Sequence, residues 1–109
     1  MVRQGDIIKI NFNPQAEHEQ AGSRPTVVIS NNFFNEKAKL AIVCPISHTD
    51  KNFPLHVRLD DRTKTKGNVL CDHVKSLDVN SGTYKFIEVM PKDVLEDVIN
   101  KVFVEIELQ

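Results

Sequence analysis

Long apolar runs and clustered cysteines are both absent from this sequence of 109 residues. No apolar segment approaches the roughly 20 residues that a membrane-spanning helix needs, and residues 1–6 lack the pattern of a signal peptide. Cys44 and Cys71 lie in separate apolar runs without metal-ligand spacing, so we expect buried, reduced thiols. These absences predict a cytoplasmic protein with no bound metal or cofactor.

An excess of positive charge is also absent, because the formal net charge is −1. Residues 1–86 carry 12 basic and 9 acidic side chains, whereas residues 87–109 carry 2 and 6. The acidity is therefore concentrated near the C-terminus, which leaves room for a local basic groove elsewhere. The overall charge still argues against tight, sequence-independent binding to duplex DNA, since phosphate neutralisation supplies most of that affinity.

Short strands with tight turns dominate the hydrophobic pattern of what the length predicts to be one domain, residues 1–109. We predict six strands, at residues 8–12, 26–30, 40–44, 55–59, 68–75 and 84–90. Pro45 is expected to end the third strand, and residues 31–36 read as a turn or a single helical turn. From Pro91 onward, apolar residues recur every three or four positions up to Ile106, which predicts a closing helix. The fold class is thus mainly β with a C-terminal helix (α+β), as a small, strongly curved sheet or partly open barrel.

A polar loop between Pro14 and Pro25 carries the strongest functional signal. It ends in Arg24, which is fixed between Gly22 and Pro25 and runs directly into a β-branched strand. A guanidinium at the start of a rigid strand can present a permanent positive charge to a phosphate. The alternative is an arginine that is merely solvated at the surface.

Two further segments place polar residues at strand ends. Ser47 follows the third strand after Pro45, and residues 72–78 (Asp-His-Val-Lys-Ser-Leu-Asp) close the fifth. With these, the chain resembles the MazF/PemK family of toxin endoribonucleases. The matching motifs, in the family's order, are Gly5-Asp6-Ile7, Phe12-x-Pro14, Glu19-Gln20-x-Gly22-x-Arg24-Pro25, Pro45-x-Ser47 and Asp72-x-Val74-Lys75-Ser76.

The resemblance implies an SH3-like barrel, a homodimer, an antitoxin partner and cleavage of single-stranded RNA at short sequence motifs. It also implies that Arg24 and Ser47 form the catalytic pair, although the family usually has threonine at the second position. Arginine and a hydroxyl group suit a reaction in which the RNA's own 2′-OH attacks the adjacent phosphorus. Arg24 would stabilise the phosphorane, and Ser47 would donate a hydrogen bond to a non-bridging oxygen.

Six further residues are predicted to contact RNA: Glu19, Gln20, His48, Asp72, His73 and Lys75. Glu19 and Gln20 could equally be solvated loop residues, and Ser47 could be only a turn residue. Histidine titrates near neutral pH, so His18, His48 and His73 are candidates for proton transfer. His56 alternates with core residues and is expected to face solvent.

Two other functions stay open at this point. One is a non-catalytic poison of the gyrase-binding kind on the same barrel, although such relatives lack the arginine–proline loop and the hydroxyl. The other is a catalytically silent module that binds RNA or a peptide.

Overall fold

Seven strands and two helices make up the residues that the computed structural model describes, namely 1–11, 23–49, 52–79 and 84–109. A short 3-10 helix, Cys71–His73, lies between the fifth and sixth strands. The elements are β1 (Asp6–Asn11), β2 (Ser23–Val28), α1 (Asn32–Ala38), β3 (Ala41–Ser47), β4 (His56–Arg58), β5 (Asn68–Leu70), β6 (Lys75–Leu77), β7 (Tyr84–Val89) and α2 (Lys92–Glu105).

The strands form one antiparallel sheet with the order β4-β5-β3-β2-β1-β7. The central strand β3 pairs with β2 along one edge, and with β6 and then β5 along the other. Among the described strands, β4 and β7 are the two ends of the order and do not pair with each other. The predicted class, mainly β with a C-terminal helix, is confirmed, and the described sheet is open.

Alternation along the strands divides the core into two clusters. Ile7, Val27 and Cys44 point to one side of the sheet, where Val94 and Val98 of α2 pack. Their sequence neighbours point to the other side, where a second cluster contains Ile8, Ile10, Val28, Ala41, Val43 and Val79. This is the arrangement that a period of two dictates for a sheet buried on both faces.

Three predicted strand boundaries are wrong. The strand predicted at residues 26–30 is β2, Ser23–Val28, so Arg24 lies within a strand paired with β1 and not at the end of a loop. β3 continues through Pro45 to Ser47, because Pro45 sits where the pairing with β2 ends and its missing N–H costs no ladder hydrogen bond. The predicted strand at 68–75 is interrupted, since the Cys71–His73 turn separates β5 from β6.

The helices also differ in part from the sequence prediction. Residues 31–36 form more than a turn, because the Asn31 side chain accepts a hydrogen bond from the Phe34 N–H (2.8 Å) and starts α1, which continues to Ala38. The closing helix is present as α2, with Val94 and Val98 buried. Ile106 lies just beyond it and is 71% exposed, so the apolar stripe leaves the core at its C-terminal end.

Candidate active site

Ser47 ends the central strand β3 at the edge of a small cleft. The cleft has a volume of about 140 Å³ and is lined by Ser47, Thr49, His56, Leu70 and His73. The Ser47 hydroxyl oxygen accepts a hydrogen bond from the Thr49 N–H (3.1 Å). Asn68, which lies opposite Ser47 on β5, donates its side-chain N–H to the Thr49 carbonyl oxygen (3.1 Å). Hydrogen bonds therefore hold the end of β3 in place, and the hydroxyl proton of Ser47 remains available for donation.

Arg24 lies on β2, opposite Ile10 of β1, and is exposed. β2 and β3 pair with Thr26 opposite Pro45. Arg24 precedes Thr26 by two residues and Ser47 follows Pro45 by two. Because the strands are antiparallel, both residues lie at the same end of this strand pair. Paired strands are about 4.8 Å apart, but the β2–β3 pairing ends at Thr26 and Pro45, and Arg24 is not among the residues that line the cleft.

Gly67 packs directly against the backbone of Ser47. Its φ is +122°, and a Cβ atom at this position would lie 2.2 Å from the Ser47 carbonyl oxygen and 2.8 Å from the Ser47 carbonyl carbon. Only glycine fits this combination of positive φ and close approach. Gly67 thus fixes where the end of β3 lies, a role that the sequence reading missed.

The prediction that His56 faces solvent is wrong. Its side chain is only 8% exposed, and its Nε2 lies 2.9 Å from Asp72 Oδ1. Asp72 belongs to the 3-10 helix that follows β5, and this turn covers the outer face of β4. Alternation identified the side of the sheet correctly, but it could not reveal that a turn covers that side.

Asp72 lies at the centre of a group of titratable side chains. Besides His56, it has His73 Nε2 at 3.7 Å from its second oxygen. Burial, together with the nearby charge of Asp72, raises the pKa of Glu105 on α2, and Glu105 Oε2 is buried without a hydrogen-bond partner among the described residues. The predicted contacts Asp72 and His73 therefore do lie beside Ser47's cleft, along with two residues that were not predicted.

The other predicted contacts are dispersed or outside the described residues. His48 follows Ser47 directly and is exposed. Lys75 starts β6 opposite Val43, four residues before Ser47, which is roughly 13 Å along the strand. Glu19, Gln20 and His18 lie outside the described residues.

Cys44 and Cys71 are both free and buried beneath this region. A hydrogen bond between the Cys44 and Cys71 side chains, and then burial, raise the pKa of the Cys44 thiol. A thiol that stays protonated and enclosed is a poor nucleophile, so these residues contribute packing. Within the described ranges, no group of three or more His, Cys, Asp or Glu side chains could hold a metal ion. None of the described helices is long and apolar enough to cross a membrane.

Comparison with known proteins identifies the family. A model described as PemK-like, MazF-like toxin of type II toxin–antitoxin system matches residues 3–104. The chain is a member of this toxin family. The match covers the open sheet, the cleft and α2 together.

Named relatives of this PemK-like toxin are endoribonucleases. Endoribonuclease PemK of Escherichia coli is 29% identical over 105 residues, covering 92% of this chain and 78% of the relative. Endoribonuclease toxin MazF of E. coli strain K12 is 37% identical over 73 residues, covering 67% of this chain and 65% of the relative. A crystal structure of MazE–MazF from Deinococcus radiodurans has a TM-score of 0.83 and 29% identity, and the match covers 99% of this chain and 97% of that chain.

Proposed function

We propose that this toxin cleaves single-stranded RNA without a metal ion, by directing the substrate's own 2′-OH against the adjacent phosphorus. The observation that supports this most is the presence of a cation, Arg24, and a hydroxyl, Ser47, at one end of the β2–β3 pair beside a cleft. Such a reaction needs no nucleophile from the enzyme. It needs in-line geometry, a stabilised phosphorane and the transfer of two protons.

Arg24 takes the charge-stabilising role in this proposal. Arginine remains charged at any physiological pH, and its planar guanidinium can donate hydrogen bonds to two phosphate oxygens at once. The same permanent charge prevents it from accepting the 2′-OH proton. We therefore assign Arg24 to the phosphorane and to the protonation of the leaving 5′-oxygen.

Ser47 takes the role of a hydrogen-bond donor to a non-bridging oxygen. Its oxygen accepts from the Thr49 N–H, so the hydroxyl proton is directed to another acceptor. Removal of one such donor typically costs about 10²–10³ in rate. Serine in place of the family's usual threonine keeps this donor.

Asp72, His73, His48 and Lys75 are proposed to contact the RNA on either side of the scissile phosphate. His73 lines the cleft, and His48 follows Ser47 in the chain. Lys75 starts β6 opposite Val43 of β3, away from Ser47, and suits a flanking phosphate better than the reacting one. Glu19 and Gln20 are proposed to join them from the loop before Arg24.

Partners follow from the family's place in toxin–antitoxin systems. We propose that the chain forms a homodimer and acts in the cytoplasm, where mRNA lies. We also propose that a cognate antitoxin neutralises it, as the MazF of the D. radiodurans complex is paired with MazE. Large apolar side chains remain exposed on β7 and at the end of α2, which is typical of protein interaction sites. They are Phe86, Val89, Phe103, Val104 and Ile106.

A substrate panel tests the proposed function. Purified protein is incubated with single-stranded RNA, with the same sequence as DNA, and with supercoiled DNA plus gyrase, each with and without EDTA. Cleavage of the RNA alone, unchanged by EDTA, is expected. Trapped gyrase complexes on the supercoiled DNA, or binding without cleavage of the RNA, would instead support one of the two alternative functions.

A further inference from the structure

The mechanism above leaves the 2′-OH proton without an acceptor. Arg24 is already protonated, and Ser47 is a donor to the phosphate. The cleft, however, contains a side chain that neither role uses. This is His56, which is nine-tenths buried and lines the cleft beside Ser47 and His73.

The hydrogen bonding of His56 determines which nitrogen is available. A carboxylate only accepts, so the 2.9 Å contact with Asp72 Oδ1 requires the proton to be on Nε2. In the neutral ring Nδ1 then carries a lone pair, and it is buried without a hydrogen-bond partner among the described residues. A buried acceptor with no donor is rare in folded proteins and calls for an explanation.

We infer that His56 is the general base of the proposed cleavage, with Nδ1 accepting the 2′-OH proton while Asp72 holds the ring and its tautomer. The inference rests on the proposed function. A histidine oriented by a carboxylate at one nitrogen and basic at the other is a common arrangement for proton transfer. The incoming hydroxyl would also supply the hydrogen bond that Nδ1 lacks.

The step balances in atoms and protons. The O2′–H proton passes to His56 Nδ1 as the O2′–P bond forms. The P–O5′ bond breaks, and O5′ takes a proton from Arg24. The products are a 2′,3′-cyclic phosphate and a 5′-OH, after which His56 releases its proton to water and Arg24 regains one.

Access to Nδ1 requires a neighbouring side chain to move when RNA binds. The aromatic neighbour is Phe53, whose ring packs edge-on against the His56 ring with centroids 5.0 Å apart. Phe53 is 43% exposed, so little of its packing is lost if it moves. Side-chain rearrangements of this kind are common when an interface forms.

The charged groups around His56 come from three elements. Asp72 and His73 belong to the 3-10 helix, and Arg58 is on β4 itself. Glu105 belongs to α2, which packs against both the 3-10 helix and β4. The base must be neutral to act. The kcat of the unmodified toxin, measured between about pH 5 and 8, is therefore expected to rise with pH.

His56→Gln is the sharpest variant. Glutamine can still donate an N–H to Asp72 but cannot take a proton, so we expect an unchanged melting temperature and a kcat lower by about 10²–10⁴. His56→Ala leaves a cavity the size of the ring, and added imidazole should restore cleavage in proportion to its unprotonated fraction. Ser47→Ala is the matched control, since it slows cleavage with His56 intact and imidazole should not help it.

Several outcomes would overturn the inference without touching the proposed function. They are His56→Gln cleaving at the rate of the unmodified toxin, imidazole failing to restore His56→Ala, or a kcat that is flat across the same pH range. The pH profile uses no variant, so a flat profile would still refute the inference if both substitutions unfold the protein. Failure of the unmodified toxin to cleave RNA at all would instead refute the proposed function.

Discussion

Substituting alanine for Gly67 tests whether the backbone position of Ser47 controls the rate. The added Cβ would lie 2.2 Å from the Ser47 carbonyl oxygen, whereas ordinary heavy-atom contacts are about 3.5–4.0 Å. The two backbones must separate by about 1 Å or more, and a misplacement of that size at a reacting group can cost about 10²-fold in rate. The positive φ adds strain of about 1–3 kcal/mol, and relief of the clash costs about 1–3 kcal/mol.

We therefore expect Gly67→Ala to lower the melting temperature by about 10 °C or more and to lower kcat about 10²-fold. The assay is circular dichroism melting, followed by cleavage kinetics well below the melting midpoint of the variant. Gly5→Ala is the matched control. Gly5 also has a positive φ (+94°), but its Cβ would meet only side-chain atoms, Leu95 Cδ2 at 3.3 Å and Val89 Cγ1 at 3.9 Å.

The control should lose stability and keep its kcat. If Gly67→Ala loses stability but cleaves as fast as Gly5→Ala at matched folded fraction, then the position of Ser47 does not set the rate. The assignment of this strand end as the reacting site would then be wrong.

Substitutions at three residues probe the site and its surroundings. Arg24→Ala should abolish cleavage without lowering the melting temperature, since an exposed charge contributes little to stability. Arg24→Lys should also be severely impaired, because the point charge of an ammonium cannot replace the two-pronged hydrogen bonding of a guanidinium. Normal cleavage by Arg24→Ala would remove Arg24 from the mechanism. Ser47→Ala should cleave about 10²–10³-fold more slowly, while Ser47→Thr should stay active. An alanine variant as fast as the unmodified toxin would show that Ser47 is only a turn residue. Burial and then the charge of Asp72 raise the pKa of Glu105 in the folded protein. Its contribution to stability is therefore fully present below the pKa of an unfolded glutamate, about 4.3, and is lost as the pH rises through the pKa of the folded state. Glu105→Gln should thus raise the melting temperature at pH 7 and not at pH 4, and an equal effect at both would contradict the raised pKa.

Periodicity predicted the elements in which apolar residues recur at a regular spacing along at least one face. Ile8 and Ile10 alternate with polar residues and lie in β1, and the apolar spacing around Val94 and Val98 gives α2. Pro45 was misread, because proline ends a strand only where its missing N–H would have been paired. That depends on the register with β2, which one strand's sequence does not contain.

The candidate site could be predicted only as far as local motifs allow. The residues matched to the family, Arg24, Ser47 and Asp72, are readable in order along the chain, and His73 adjoins Asp72. His56 was misread because alternation gives the side of a strand that a residue faces, not the element that covers it. Gly67 was missed because its importance lies in a contact with Ser47, 20 positions earlier in the chain.

The most direct test of the central claim alters the substrate instead of the protein. A single 2′-deoxy nucleotide is placed immediately before the scissile bond, in an oligonucleotide that the toxin otherwise cleaves once. The account predicts complete loss of cleavage with binding retained, since one hydroxyl is a small part of a contact dominated by phosphates. It also predicts that the unsubstituted strand yields a 5′-OH product that a kinase labels without phosphatase treatment. Cleavage of the deoxy strand at an unchanged rate would show that water or another nucleophile attacks the phosphorus, and the proposed mechanism would be wrong.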